Sequence, residues 1–387
     1  QEVEILTLED CLRIGIDNNL SLEGKRKEIQ KSKYGVSENR SKLLPQINAI
    51  AGYNNNFDPP VSVTDGSSYG VPYNITKTLQ HSANAGLEMQ MPLFNQTLYT
   101  SMSIAKVMEE ISRLSYGKAR EDVILQISKM YYLGQVTAEQ IMLIKANIIR
   151  LEELRDITQA FFDNGMSMEV DLKRVNINLE NLKVQYDNAQ AMMKQQLNML
   201  KYIMDYPAEK EIALTPVNTD SITTVALTGL SENIYELQLS QSQVQLAERQ
   251  KKIITNGYIP SLSLTGSWRY AAYTDKGYHW FHSGPSNQWF RSYGVGLTLR
   301  IPIFDGLDKT YKIKKAMIDI ENKRLAWEDA RKNLQTQYLN AVNDLMNNQR
   351  NFKKQKDNYL LAEDVYAVTS DRYREGIASM TEVLQDE

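Results

Sequence analysis

The chain has 387 residues and a formal net charge of −3, a balance that gives no argument for nucleic acid, which favours a basic stripe. Its one cysteine, Cys11, excludes a disulfide framework within the chain and reads as a small buried apolar side chain. No run of about 18 apolar residues is present, so no transmembrane helix is expected, and sparse Gly and Pro with frequent Gln, Asn, Glu and Lys favour long helices over a compact α/β enzyme.

Gln1 opens into an acidic, helix-like segment with no signal peptide, so the protein is either cytosolic or has lost a leader. The first helix is expected to start at Thr7, with Asp10 three residues on as its capping partner. Gly15 to Asn19 soften it, and a second helix leads to Leu44-Pro45, where proline stops it. Two alternating segments follow, near 46–56 and 81–91, with a loop between them. From Phe94 a helical pattern continues to the neighbourhood of Gly165, and beyond it to about Tyr202. Stretches of about 70 residues far exceed the ordinary helix of about 11 or 12. A back-turn is therefore expected inside each long stretch, near 140–152 and again near 348–360. The second half starts with a helix near 231–256, then alternating segments near 260–271 and 291–301. Helical spacing then runs from about 305 to the end.

The two halves repeat. Leu44-Pro45-Gln46-Ile47 resembles Ile259-Pro260-Ser261-Leu262; Gly86 to Phe94 resembles Gly296 to Phe304; Phe162-Asp163-Asn164-Gly165 resembles Tyr373-Arg374-Glu375-Gly376. Asp171 and Glu382 each follow their glycine by six residues. Ordered landmarks at nearly one offset define two structural repeats, 1–212 and 213–387. The first contains helices over 7–44, two strands and a long helical hairpin over about 95–205. The second lacks an equivalent of the last helix of the first, so its final helix is expected to be missing.

All four strands alternate strictly. Ile47, Ala49, Ala51 and Tyr53 share a face; so do Ala83, Ala85, Leu87, Met89 and Met91; so do Leu262, Leu264, Gly266, Trp268 and Tyr270; so do Tyr293, Val295, Leu297, Leu299 and Ile301. A soluble sandwich is one reading. Three features favour a membrane barrel instead: strands of about ten residues, polar faces of small and charged residues, and aromatic strand ends. On this reading the polar face lines a wet lumen and carries Glu88, Arg269 and Arg300. Four strands cannot close a barrel, and open edges are not viable in lipid. Several chains must therefore share one barrel, of eight strands from two chains or twelve from three.

Pro92 with Phe94, and Pro302 with Phe304, punctuate the passage from strand to helix. Asn95 and Asp305 stand in the cap positions that follow. These residues are expected to mark a barrel–helix junction, with both prolines at one height. Leu172, Val175, Leu179, Leu182, Tyr186, Ala189 and Met193 step by three and four, as coiled-coil seams do. The acidic pairs Glu152-Glu153 and Glu363-Asp364 fall close to the expected back-turns. They read as solvated faces or as rings of negative charge at the end of a tunnel. His279 and His282 read as part of an exposed aromatic loop, and no metal site, cofactor site or catalytic residue is assigned. No nucleophile elbow is assigned, and P-loop, dinucleotide and zinc motifs are absent from the sequence.

Taken in order, "LTLEDCLRIGIDNNLSL", "LLPQINAIAGYN", "MPLFNQ", "FFDNGMSMEVDL", "GYIPSLSLTGSW", "IPIFDG" and "RYREGIASMTEVL" resemble the TolC family of outer-membrane efflux factors. The resemblance implies a mainly α fold with a small β part. Long antiparallel coiled-coil helices would accompany four strands per chain, shared in a trimeric twelve-stranded barrel. It also implies a homotrimer in the outer membrane of a Gram-negative bacterium, a leader removed, and a large periplasmic tunnel. The implied partners are a periplasmic adaptor (membrane fusion) protein, an inner-membrane transporter that supplies the energy, and outer-membrane lipid. The implied function is passive export of small molecules or proteins. A periplasmic helical-hairpin scaffold or adaptor is the competing reading, and the sequence does not name a cargo.

Overall fold

The computed structural model describes residues 3–217, 229, 231, 233–275 and 289–386; His279, Trp280 and His282 lie outside them. The described residues are mainly helical and fall into two compact units. One comprises Gln1–Glu28, Arg113–Leu239 and Trp327–Glu387; the other comprises Ile29–Ser112 and Ser240–Ala326.

In the first unit, strand β1 (Glu4–Leu6) pairs in parallel with β6 (Ile212–Leu214). Helix α1 (Leu8–Asn18) starts on a reciprocal cap. Thr7 Oγ1 accepts from the Asp10 N–H at 3.2 Å, and the Thr7 N–H donates to Asp10 Oδ2 at 3.3 Å. These Thr7 hydrogen bonds hold the Asp10 carboxyl below its ordinary range. Asn19 then divides α1 from α2 (Leu20–Ser41): its Oδ1 accepts from the Leu22 N–H at 3.0 Å, and its Nδ2 donates to the Ile203 carbonyl at 2.7 Å.

The core beneath includes Leu6, Cys11, Leu22, Ile127 and Met204, the last four fully buried. Each large side chain contributes about 1.5–3 kcal/mol by leaving water. Gly15 packs closely here: a Cβ would stand 2.3 Å from Ile127 Cδ1, so the end of that side chain would have to shift. Burial pushes the Cys11 thiol up to about 11, so it stays neutral and unreactive at ordinary pH.

The long helices are uninterrupted. Helix α3 runs Gln96–Asp163, 68 residues, and α6 runs Asp308–Arg374, 67 residues. The expected back-turns at 140–152 and 348–360 are therefore corrected. The chain turns at Gly165 and Gly376 instead, both left-handed, with φ of 73° and 77°. The Gly165 N–H donates to the Phe162 carbonyl at 2.9 Å and the Met166 N–H to the Phe161 carbonyl at 2.8 Å; Gly376 and Ile377 repeat the pattern on Tyr373 and Arg372. This double bond set satisfies the last carbonyls of a helix and reverses the chain. Average helix length was the wrong guide, because lateral packing sustains a helix of any length.

Helix α4 (Glu169–Met204) follows the first turn and α7 (Met380–Asp386) the second. Their starts differ. Ser379 Oγ accepts from the Glu382 N–H and Glu382 Oε2 accepts from the Ser379 N–H, at 3.3 and 3.0 Å. At the matching place, Met168 offers no side-chain cap. Leu151 and Leu154 of α3, Val175 and Leu179 of α4, Tyr373 of α6 and Val383 of α7 form one core. Thr158 Oγ1 lies 3.3 Å from the Tyr373 hydroxyl, and Phe161 packs on the Tyr373 ring with centroids 5.7 Å apart. Burial raises the Tyr373 hydroxyl above its ordinary value.

In the second unit, β2 (Gln46–Asn55), β5 (His81–Phe94), β7 (Ser261–Thr274) and β8 (Trp289–Arg300) form one antiparallel sheet in the order β2-β5-β7-β8. The segment between β2 and β5 is not a plain loop. It carries a hairpin of β3 (Val61–Asp65) and β4 (Tyr73–Lys77). Helix α5 (Tyr235–Asn256) precedes β7, and Asn256 Nδ2 donates to Thr100 Oγ1 of α3 at 2.5 Å.

Candidate functional site

The sheet is the first part of the site. Its register unites the four alternations. Ile47 faces Met89, which faces Gly266, which faces Val295; Ala49 faces Leu87, then Trp268, then Tyr293. One face is therefore apolar across all four strands in these rows, with polar side chains only toward its other end, where Arg291, Asn55, His81 and Thr274 fall on it. It is also open: Ile47 is 66% exposed, Val295 79% and Leu297 67%. The opposite face sets Asn48, Glu88, Ser267 and Gly294 in one row, and Gln90, Thr265 and Gly296 in the next. Both edge strands, β2 and β8, have one side unpaired.

Glu88 and Arg269 come together on that polar face. Glu88 lies opposite Ser267, and Arg269 reaches it diagonally to form an ion pair and hydrogen bond. Gly86 lies directly opposite Arg269. A Cβ there would come within 2.3 Å of the Trp268 carbonyl oxygen and 2.8 Å of Arg269 Cα. The glycine thus lets β5 and β7 close on each other. An exposed pair of this kind contributes roughly 0–1 kcal/mol; its main effect is to cancel charge. Arg300 stands apart, opposite Ser261 at the other end of β7.

The two proline junctions differ. Pro92 and Phe94 stay in the ladder of β5, with a register shift between them. Strand β2 has already ended opposite Gln90, so β5 is free on that side when it reaches proline. Pro302 and Phe304 lie beyond β8, which stops at Arg300. The two prolines are therefore not at one height: Pro92 pairs with Ser263, level with Thr298, four residues before Pro302.

Asn95 Oδ1 accepts from the Thr97 N–H at 3.0 Å and the Leu98 N–H at 3.4 Å, opening α3. Asp305 Oδ2 accepts from the Lys309 N–H at 3.3 Å and pairs with Lys309 Nζ at 2.9 Å. The Lys309 contact holds the Asp305 carboxyl below its ordinary range. Between Asp305 and α6, Gly306 and Leu307 both take positive φ, 67° and 70°.

The acidic pairs sit elsewhere than expected. Glu152 and Glu153 are on α3, Glu363 and Asp364 on α6, roughly four turns or about 20 Å before Gly165 and Gly376. Among the described residues, none of the four has an ion pair. Glu363 instead lines a concavity of about 320 Å³ with Asn147, Arg150, Tyr359 and Tyr366. The Arg150 guanidinium lies 5.7 Å from the Tyr366 ring centroid. Sequence reasoning missed this contact, since cation–π partners from two distant helices leave no local signature. Asp171 lies in the first turn of α4 and pairs with Arg174 at 3.4 Å, while Glu382 caps α7. No group of three or more metal-ligating side chains occurs among the described residues. No helix among them is long and apolar enough to cross a membrane.

A profile of the family described as outer membrane efflux protein matches residues 14–204 and 226–387. The outer membrane protein TolC of Vibrio cholerae is 21% identical over 319 residues, which cover 80% of this chain and 66%, just under two thirds, of that relative. Among solved structures, CusC aligns with a TM-score of 0.80 and 16% identity, over 98% of this chain and 85% of that one. The outer-membrane channel OprN gives 0.79 and 15%, over 98% and 83%. The MtrE outer membrane channel of Neisseria gonorrhoeae, in its open state, gives 0.75 and 18%, over 98% and 82%. These likenesses show the fold.

Proposed function

The chain belongs to the outer membrane efflux protein family, and from that premise we propose that it is the outer-membrane duct of an efflux or secretion system. Three copies close a twelve-stranded barrel, and their long helices form a periplasmic tunnel. The observation that carries this reading is the sheet. It has two unpaired edges and one face that is apolar and largely exposed over most of its length, a combination that water does not tolerate and a shared barrel in lipid resolves. Closure needs about eight strands or more, so one chain is insufficient. The count of three comes from the family.

On this reading Glu88, Arg269 and Arg300 line the lumen, and Pro92, Phe94, Pro302 and Phe304 mark where strands give way to helices. Glu152, Glu153, Glu363 and Asp364 form acidic rings set back from the helix turns, where they favour cations. The turn landmarks Gly165, Asp171, Gly376 and Glu382 shape the end that meets a periplasmic adaptor. The duct does no chemistry; an inner-membrane transporter drives small molecules or proteins through it. A periplasmic scaffold has no use for the lipid-type face, and that reading is not favoured.

Fractionation of intact cells followed by chemical crosslinking tests the proposal. The full chain is expected in the outer membrane, extracted only by detergent, as a crosslinked trimer that brings down an adaptor and a transporter. Full solubility without detergent overturns it. Charge-neutral substitutions at the four acids are expected to lower cation selectivity in planar bilayers, and unchanged selectivity removes the ring assignment.

A further inference from the structure

The polar sheet face carries three charged side chains, and two of them cancel. Glu88 is its only acid and is engaged by Arg269. Arg300 has no ion pair or side-chain hydrogen bond among the described residues. Eight residues of β7 separate Ser261, opposite Arg300, from Arg269. That is about 26 Å of strand, several times the roughly 8 Å over which salt screens charge. The pair therefore does not offset Arg300.

Neighbouring strands supply no carboxylate either. The polar face of β7 near this end offers Ser261, Ser263 and Thr265. That of β2, the strand that would meet β8 of the next copy, offers Gln46, Asn48, Ile50, Gly52 and Asn54. On β8 itself Ser292, Gly294, Gly296 and Thr298 are all small, so Arg300 is the one long side chain on that face after Phe290. Asp305, the nearest following acid in sequence, is held by Lys309.

We propose that Arg300 makes the helix-side mouth of the barrel electropositive, a ring that admits anionic groups ahead of cationic ones. The inference rests on the duct reading above and deepens it by assigning a charge preference to one point of the lumen.

The test uses the full chain inserted in membranes. Cys11, the native thiol, is fully buried, so an introduced thiol reports alone, with the unsubstituted protein as the blank. Thr298→Cys places a thiol two residues from Arg300 on the same face. Its modification rates by an anionic and a cationic membrane-impermeant thiosulfonate are compared with and without Arg300→Gln. Coulomb arithmetic for one charge about 7 Å away in water gives a fall on the order of fivefold in the anionic-to-cationic rate ratio. Arg300→Lys is expected to keep the ratio. A ratio unmoved by Arg300→Gln overturns the inference while leaving the duct intact. A Thr298→Cys thiol that neither reagent reaches shows that the polar face is not wet, and overturns both.

Discussion

The two strand-to-helix junctions carry one motif and fold it two ways. At the first, β5 has already parted from β2 at Gln90, and its ladder with β7 persists through Pro92 to Phe94, opposite Leu262. Asn95 then caps α3 with no intervening residues. At the second, β8 is an edge strand and stops at Arg300. Ile301 to Asp305 belong to no strand or helix, and Gly306 and Leu307 turn through positive φ before α6 starts. Phe94 is 44% exposed and Phe304 81%. The difference teaches that neighbours, and not the motif, decide how far a strand runs, because strand preference is mostly a matter of what packs against it.

Substitutions can widen or erase this contrast. The largest effect is expected at Gly86, in the interior strand. Gly86→Ala should cost about 3 kcal/mol, since the new Cβ meets backbone of β7 and must part the strands. Gly294→Ala on the edge strand meets nothing within 4 Å and should stay within about 0.5 kcal/mol. Thermal unfolding of the two variants side by side checks the pair; equal losses would refute the interior-versus-edge account. Next come the helix turns, where the repeats do agree. Gly165→Ala and Gly376→Ala should each cost about 1–2 kcal/mol, since both force a left-handed alanine with open space around it. The same melts should show the two losses matched.

At the first junction, Asn95→Ala should cost about 1 kcal/mol by leaving the Thr97 N–H without its side-chain acceptor, while the Leu98 N–H keeps the Asn95 carbonyl. At the second, Leu307→Gly should be neutral or gain up to about 1 kcal/mol by relieving positive φ, an option the first junction does not have. Denaturant midpoints distinguish these signs. The smallest effect is a response to acid. Asp305 has a folded-state pKa held down by Lys309, so its contribution is complete above the ordinary carboxylate value and is lost as pH falls through the depressed one. Protection from hydrogen exchange, taken relative to the intrinsic rate at each pH, should therefore fall at the start of α6 in acid, while the start of α3, capped by uncharged Asn95, keeps its protection. Asp305→Asn should abolish the response.

Much of the fold was legible because its signals are local. Thr7 and Asp10 announce a cap by spacing alone, and strict alternation sorts each strand into two faces that the register then aligns. Glu88 and Arg269 were legible as members of one face, but not as partners, because pairing depends on how two strands slide against each other. The turns at Gly165 and Gly376 were visible as repeat landmarks yet misread, since ordinary helix lengths argued for an earlier break. The β1–β6 pair was invisible: three residues per strand make no period, and parallel partners lie about two hundred residues apart. The hairpin of β3 and β4 hid in a segment broken up by Pro, Gly and Ser. The unequal junctions could not be read at all, because they are decided by how each strand is registered against the start of β7.

The open edges of the sheet also bear on supply. A chain whose apolar strand face is covered only by lipid and by other copies has no finished state of its own. In the trimer proposed above, folding is then a reaction of third order in chain, and its yield follows mass action. Halving synthesis would lower complete ducts by more than half, and the unjoined remainder would carry exposed edges prone to pair at random. A cell making this protein has reason to regulate its dose as closely as its sequence.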